Sequence, residues 1–571
     1  MGRRLRTGIP VLVLLAAALL LVSVQAAARH SSYGHKHKSK SHPRVLLVGT
    51  YHGIRGQYSS IQAAVNAAKA GDWILIGPGD YKEHGGAAPA DKRNTPAGVL
   101  ITTPNIYIRG MNRNKVIVDG TKPGSPKCSS NKPDQEFGPA GQNGAAPLGL
   151  NGLMVWKARN VWIQNLTACN YLGGSGAAGN EIWWNGGDGS AKVGGSGYVG
   201  SYLTATSTYY DPSDPSTAAA YGIFTSNWNG GSWDHAYASN FNDSGFYIGA
   251  CQQVCNQTVD HIWTEYNPLG YSGSNSGGQL VVKNSEFDNN ETGFSTNSQN
   301  GDNPPPQNGA CPNNGVSAIT HTHSCWVFMD NYVHDNNNPN IPSAGFAAAG
   351  PVGTGVSLAG TRNDTVMDNR IVRNNAWGVI VVPFPDSGPP CTGGTSGPGG
   401  QPACNYDEWG NALFDNSFAN NGAYGNRTNG DFALTNFEPG PTSCFGGNKD
   451  TAGPLTATPS NAETMYPKCD GHTVPPSDSN PQSADFTQEV ACDSTLYFPL
   501  VGKVPCAPSD NYPRRTTVIM HPLPPASKLP TMPKPCKGVP ANAWCPAHKS
   551  HKTHRKHKKH KVAKPSIALA W

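Results

Sequence analysis

KNSEFDNNETGF, residues 283–294, holds most of one turn of a repeat. Its mark is Asn-x-x-Gly (Asn290 to Gly293) followed by a short run of apolar or small residues. The mark recurs at Asn170/Gly173, Asn242/Gly245, Asn267/Gly270 and Asn375/Gly378. Spacings of 25 (242 to 267) and 23 (267 to 290) give the unit length, and gaps of 72 and 85 fit several units with insertions. A second Asn stands five residues earlier: Asn165, Asn284, Asn331 and Asn369 precede Asn170, Asn289, Asn336 and Asn374. A period in the low twenties with short strands and no helical unit predicts a β-solenoid, in which stacked coils share one core. Asn suits the turns because it tolerates left-handed backbone and its amide can bond the equivalent Asn one coil away. Propeller blades need roughly 40–50 residues, and sandwich hairpins alternate direction, so neither pattern fits.

The stretch Gln57–Tyr81 reads as the start of this stack. Ile61, Ala64, Val65 and Ala68 fall at i, i+3, i+4 and i+7 and make one narrow apolar face on a short helix. Ser59 or Ser60 serves as N-cap, and Gly71 stands where a C′ glycine would end the helix. Trp73 to Ile76 reads as a buried strand, and Gly77-Pro78-Gly79-Asp80 as a turn. A helix with so small a face is expected to cap the first coil, whose free strand edges otherwise invite aggregation.

Only 14% of the 571 residues are charged, whereas Gly (67) and Pro (48) are abundant, which suits many short strands and argues against a helical protein. The net charge of +6 comes largely from the two ends, so the middle lacks a nucleic-acid signature. Residues 1–28 read as a secretory signal: Arg3, Arg4 and Arg6, then an apolar run from about Pro10 to Val24, then small residues. No later stretch is long and apolar enough to span a membrane. Fourteen cysteines in an exported chain predict disulfides. Cys251 and Cys255 can bridge within one loop or bond elsewhere, and a zinc site would need His321 and His323 as partners. Residues 29–43 are a basic His/Lys linker, 437–546 a Cys/Pro-rich segment expected to cover the last coils, and 547–571 a basic His/Lys tail of disordered composition.

DSGFYIGACQQVC (243–255), KNSEFDNNETGF and DNRIVRNNAWGVIV (368–381) resemble the coils of bacterial secreted right-handed parallel β-helix proteins of the pectin lyase-like superfamily. The resemblance covers about Val45 to Leu434. It implies an all-β, right-handed parallel β-helix over 44–436 with an N-terminal capping helix and a loop-rich, disulfide-stapled C-terminal segment. The superfamily includes polysaccharide lyases, hydrolases, epimerases and members without known catalysis, so the resemblance leaves the activity open. A lyase would add Ca2+ held by carboxylates and an Arg or Lys base; Asp364, Asp368, Arg362, Arg370 and Arg373 supply those types. No cofactor is otherwise evident.

Two further sets of residues are candidates for chemistry. Asp234-His235 and Asp260-His261 stand 26 residues apart, near one coil. Carboxylates on adjacent coils lie roughly 5 Å apart, the range of a retaining glycosidase pair, and His beside Asp suits a general base. Alignment on the repeat glycines places these dipeptides one residue out of register, which would turn one of them to the other face. Trp183, Trp184, Tyr209, Tyr210, Trp228 and Trp233, in or just after a long insertion, are candidates for stacking on sugars. Three function classes fit: a secreted, monomeric protein that engages polysaccharide or an anionic wall polymer; a polysaccharide-active lyase, hydrolase or epimerase; and a structural envelope protein tethered by its basic tail.

Overall fold

A computed structural model describes residues 43–547, apart from 142–144, 188–189, 191, 301–303, 343–349, 388–390, 397–402, 437–439, 442, 466–475, 478–483 and 494–503. The signal, the linker through residue 42 and the basic tail from 548 lie outside the described residues.

Three parallel ladders wrap one continuous core. Strands such as Trp73–Ile76, Gly231–Asp234, Gln257–Asp260, Leu280–Lys283 and Trp326–Met329 form the first ladder. Tyr237–Ser239, Trp263–Glu265, Glu286–Asp288, Tyr332–His334 and Arg370–Val372 belong to the second. Val161–Cys169 and Tyr198–Thr206 bend round the corner and serve both. The third ladder is an eleven-stranded sheet among the described residues, running from Ala97–Ile101 to Ala457–Thr458. Every neighbour within these ladders is parallel, and each chain return completes a coil of the right-handed sense that strand twist imposes on parallel crossovers. The fold is the solenoid that the repeat predicts and the right-handed parallel β-helix that the resemblance implies.

The two Asn positions mark two corners. At the corner between the second and third ladders, Asn267 donates its backbone N–H and its Nδ2 to Asn290 Oδ1 (3.1 and 3.0 Å). Asn290 does the same to Asn336, and Asn336 to Asn374. At the corner between the first and second ladders the series runs Ser285, Asn331, Asn369, Asn416, Asn448. In the coil at 283–294 the ladder residues are therefore Ser285 and Asn290. Asn284 and Asn289, which the five-residue spacing selected, occupy the preceding left-handed positions, at φ 51° and 54°. The glycine of the mark has a reason too: a Cβ at Gly293 would lie 2.7 Å from Asn336 Nδ2. The amide of the next coil fills the place a side chain would take.

The helix Ile61–Ala67 buries Ile61, Ala64 and Val65, with the Ser60 hydroxyl accepting from Ala63 N. It ends at Ala68, so Gly71 (φ 95°) is not its C′ residue but shapes the turn into Trp73. The Gln62 amide pairs with the first strand of the third ladder: Leu100 N donates to Gln62 Oε1 (2.6 Å) and Gln62 Nε2 to Leu100 O (3.2 Å). One side chain thus satisfies ladder groups that no strand precedes.

The C-terminal segment differs from expectation. The helix Ala484–Asp493 does pack on the late coils, with Phe486 and Val490 against Trp377, Ile380 and Phe384. Residues 504–547, however, run back along the solenoid as a strap. They bond Asn426 through Asn511 N, Asn240 through His521, Asn165 through Thr531 and Met532, and Arg109 through the carbonyls of Pro535 and Lys537. Trp544 and Cys545 finally pack on Leu47 and Trp73 of the first coils. Disulfides join Cys128–Cys169, Cys251–Cys255, Cys311–Cys325, Cys391–Cys404, Cys492–Cys506 and Cys536–Cys545. CQQVC therefore bridges within its own loop, and its sulfurs are not available to a zinc site.

Asn336 accepts from Asn290 and donates to Asn374 and the Phe287 carbonyl. Asn336→Ala should lower unfolding stability by at least about 2 kcal/mol, since it strands buried partners on two coils. Asn289→Gly, at a left-handed site one residue away from Asn290, should change it by less than about 0.5 kcal/mol. Chemical denaturation of both variants checks the contrast.

Candidate functional site

Asp234 and Asp260 are register partners on adjacent first-ladder strands, which corrects the expected slip. The extra residue lies beyond them, at the second corner, where 240–243 is one longer than 266–268. His235 and His261 follow at left-handed corner positions (φ 51° and 53°). Their rings stack at 5.3 Å, and Tyr202 stacks on His235 at 4.6 Å. Each His Nδ1 meets the carboxylate just before it, at 2.9 and 2.6 Å. Asp260 also accepts from Asn284 Nδ2 at 2.9 Å; burial raises its pKa, but the bonds from Asn284 and His261 outweigh this and lower it. The four residues form a part-exposed ridge along a turn and line none of the clefts described below.

The aromatic candidates divide. Trp184, Trp228 and Trp233 are 0% exposed and belong to the core, so they cannot meet a sugar; alternation along each strand turned them inward. Tyr209 is buried edge-on to Phe137 (6.0 Å) and lines a cleft of ≈ 710 Å³ with Lys132 and Asp211, while Tyr210 is half-buried. Trp183 faces outward on the third ladder. It begins a stack whose later members the sequence reading missed.

Trp183, Phe224 and Tyr247 are register partners on three successive coils, with ring centroids 5.1 and 4.7 Å apart and planes within 15°. Each ring covers the face of its neighbour, and the stack ends at Tyr247. The next residues in that row are Ser272, Ser295 and Ser357. A second outward row brings Ser274, Asn297 and Ala359 beside them, with Ser274 Oγ 2.6 Å from Asn297 Oδ1. Replacing rings with hydroxyls lowers the surface, and a cleft of ≈ 90 Å³ opens there, bounded by Tyr221, Tyr247, Gln299, Pro351 and Phe384. Gly249 lets the Tyr247 ring lie down over its own strand, since a Cβ there would be 2.5 Å from the phenol oxygen. Asp243 supplies a carboxylate at the rim and accepts from the Tyr221 hydroxyl at 3.0 Å. The arrangement is an aromatic end wall over a hydroxyl and amide floor. It came from register between coils, which no local motif reports.

The outer face of the second ladder carries a charged group, also missed. Glu265 and Asp288 extend the column that passes through Ser239 and His334. Burial, with Asp288 as neighbour, pushes Glu265 up to about 7, and burial pushes Asp288 up to about 6. The Tyr237 hydroxyl donates to Glu265 Oε1 and Trp263 Nε1 to Asp288 Oδ1, both at 2.7 Å. Burial lowers the His334 pKa, but bonding to Glu286 and Asp335 outweighs this and raises it. One ligand atom each from Glu286, Asp288 and His334 lies within 4.8 Å of the others. Two carboxylates and an imidazole suit a transition ion better than Ca2+, which prefers all-oxygen sites. The five residues suggested for a lyase do not converge. Asp364 is wholly buried and bonded by Gln307, Asp368 sits at a left-handed outer corner, and Arg373 pairs with Asp335.

No family model matches the chain, and no curated protein matches it. Solved structures similar to it include the A-module of mannuronan C-5 epimerase AlgE6 from Azotobacter vinelandii (14% identity, 70% of this chain and 92% of that one, TM-score 0.41). A family 28 exopolygalacturonase of Yersinia enterocolitica is similar at 10% identity, over 72% and 79% of the two chains, with TM-score 0.37. An alginate lyase of Paenibacillus sp. FPU-7 is similar at 10% identity, over 72% and 97%, with TM-score 0.31. The class of the protein rests on its own three ladders: it is a right-handed parallel β-helix.

Glu265 and Asp288 titrate in the folded chain above their ordinary values of 4.5 and 3.8. Their contribution to stability is therefore complete below about pH 4 and lost as pH rises toward 7. Carboxyl-carbon NMR should find apparent pKa values near 7 and 6. Glu265→Gln should flatten the fall in thermal midpoint between pH 4.5 and 7.

Proposed function

We propose that the protein is secreted and engages extended carbohydrate polymers through the cleft on its third ladder. The observation that carries this reading is the end of the Trp183–Phe224–Tyr247 stack over the Ser272, Ser295 and Ser357 row. A sugar ring offers an apolar C–H face and a rim of hydroxyls, which match an aromatic wall and a floor of groups that both donate and accept. Coils repeat about every 4.8 Å along the solenoid, so a polymer lying lengthwise meets similar groups again and again. The basic segments 29–43 and 547–571 add affinity for anionic wall polymers through counterion release. With the N-terminal signal and the disulfides, they support an extracellular, wall-associated setting. Tyr247→Ala should weaken binding of the preferred oligosaccharide about tenfold, equivalent to about 1.4 kcal/mol, while Tyr247→Phe stays near wild type. Calorimetric titration against a panel of wall and plant glycans measures this; equal affinities of wild type and Tyr247→Ala would sink the reading.

A second reading makes the protein a polysaccharide-active enzyme. The observation favouring it is the pair Glu265 and Asp288 on adjacent coils, raised to about 7 and 6, with His334 beside them. Carboxyls poised near neutrality, roughly 5 Å apart, fit a general acid and its partner. The expected result is release of new reducing ends or unsaturated products that Glu265→Gln and Asp288→Asn both abolish. Product formation unaffected by either variant excludes this site.

A further inference from the structure

We propose that Glu286, Asp288 and His334 bind one divalent transition ion of the Zn2+ kind on the outer face of the second ladder. The inference rests on neither reading above, and an ion on Asp288 takes that carboxyl out of the acid–base pair. Strand alternation puts Glu286 and Asp288 on one face of the strand Glu286–Asp288, two residues apart. Register places His334 beside Asp288 on the next coil. One ligand atom from each residue then lies within 4.8 Å of the other two. All three donors stand on strands, which hold a site more firmly than loops do.

The imidazole supplies a second observation. Both its nitrogens face carboxylates: Nδ1 lies 2.7 Å from Asp335 Oδ2, and Nε2 lies 3.2 Å from Glu286 Oε1. A neutral ring carries one N–H, so only one of these contacts is a hydrogen bond. Asp335 is the partner with a fixed position, because Arg373 Nε donates to its other oxygen at 2.8 Å. The proton therefore belongs on Nδ1, and Nε2 turns its lone pair toward Glu286. A cation between those two acceptors removes their repulsion. Ligands about 2.1 Å from one ion stand about 3.0–3.4 Å apart at tetrahedral and octahedral angles. The Glu286–His334 separation of 3.2 Å falls inside that range. A carboxylate behind the imidazole, as Asp335 is here, sets the tautomer of metal-bound histidines. Tyr332 stacks on the His334 ring at 3.8 Å and holds its plane. Trp263 Nε1 and Asn289 Nδ2 donate to the two Asp288 oxygens at 2.7 and 2.6 Å, and each oxygen keeps a second lone pair. Nearby guanidiniums pair with other groups, Arg373 with Asp335 and Arg370 with the Tyr332 ring. An imidazole ligand suits Zn2+ and its neighbours, whereas Ca2+ and Mg2+ take oxygen.

The test uses the full chain, freed of metal with EDTA, as wild type, Glu286→Gln, His334→Asn and Asp335→Asn. Zn2+, Co2+ and Ca2+ are added separately, and calorimetric affinity, thermal midpoint and the visible bands of bound Co2+ are read. The His-rich segments 29–43 and 547–571 also take transition ions, so only the part of each signal lost in Glu286→Gln is counted. The Glu286 side chain is 46% exposed, so this variant keeps the test open should His334→Asn fail to fold. The expected result is one Glu286-dependent Zn2+ per chain, a midpoint raised by that ion, and Co2+ bands lost in both ligand variants. Asp335→Asn, a positioning change, should weaken Zn2+ at least about tenfold, and Ca2+ should bind at least about tenfold more weakly than Zn2+. Equal Zn2+ responses of wild type and Glu286→Gln overturn the proposal and leave His334 as an imidazolium between two carboxylates. Ca2+ held through Glu286 as tightly as Zn2+ overturns it as well.

Discussion

A side-chain amide bonded to the same amide one coil away is the contact on which the rest of this molecule depends. Strand pairing alone permits neighbouring coils to slip, and a slip of one residue exchanges core and solvent faces. Asn331, Asn369, Asn416 and Asn448 close that freedom at one corner, and Asn267, Asn290, Asn336 and Asn374 at the other. All of these amides except Asn267 also donate to the carbonyl of a short strand in the coil below, as Asn369 Nδ2 does to Phe328 O (2.9 Å). The cost falls on the glycines of the repeat, which give up side chains so that the amides fit.

Fixed register turns the solenoid into a set of rows, and rows make surfaces with properties that no single coil has. Three rings in one row become a stack, and serines continuing the row become the floor of a cleft. On another face, carboxyls from successive coils are pressed together and pushed toward neutrality. The strap ties the rows end to end. It leaves the late coils near Asn426 and returns to Trp73, where Trp544 and Cys545 pack on the first coils.

Much of the architecture is legible locally because the repeat writes its own geometry. At Asn267/Gly270 and Asn290/Gly293 the Asn-x-x-Gly mark records a ladder amide and the gap that admits one, whereas beside Asn375/Gly378 the ladder amide is Asn374; Ile61, Ala64 and Val65 record a helix that buries one face. Legibility fails where a choice between equivalent neighbours depends on the next coil. The five-residue spacing selects Asn289 and the Asn-x-x-Gly mark selects Asn290, and only the next coil shows that the first is a left-handed turn residue and the second a ladder member. Asp234 and Asp260 looked out of step because the extra residue lay at a corner beyond them. Trp184, Trp228 and Trp233 looked like loop aromatics and proved to be core, since their strands alternate them inward. The return path of residues 504–547 has no periodicity to announce it.

By itself, the sequence determined that this protein is a stack of short parallel strands turned at asparagines, with a helix at its start and disulfides throughout. Those features are encoded within one coil or one element, where spacing and residue type suffice. Only the tertiary structure decided which side chains share a row, where the aromatic stack stops, which carboxyls meet and how far the strap travels. Each of those depends on register between coils separated by 23 to about 60 residues, or by several hundred for the strap, and contacts at that distance leave no local pattern.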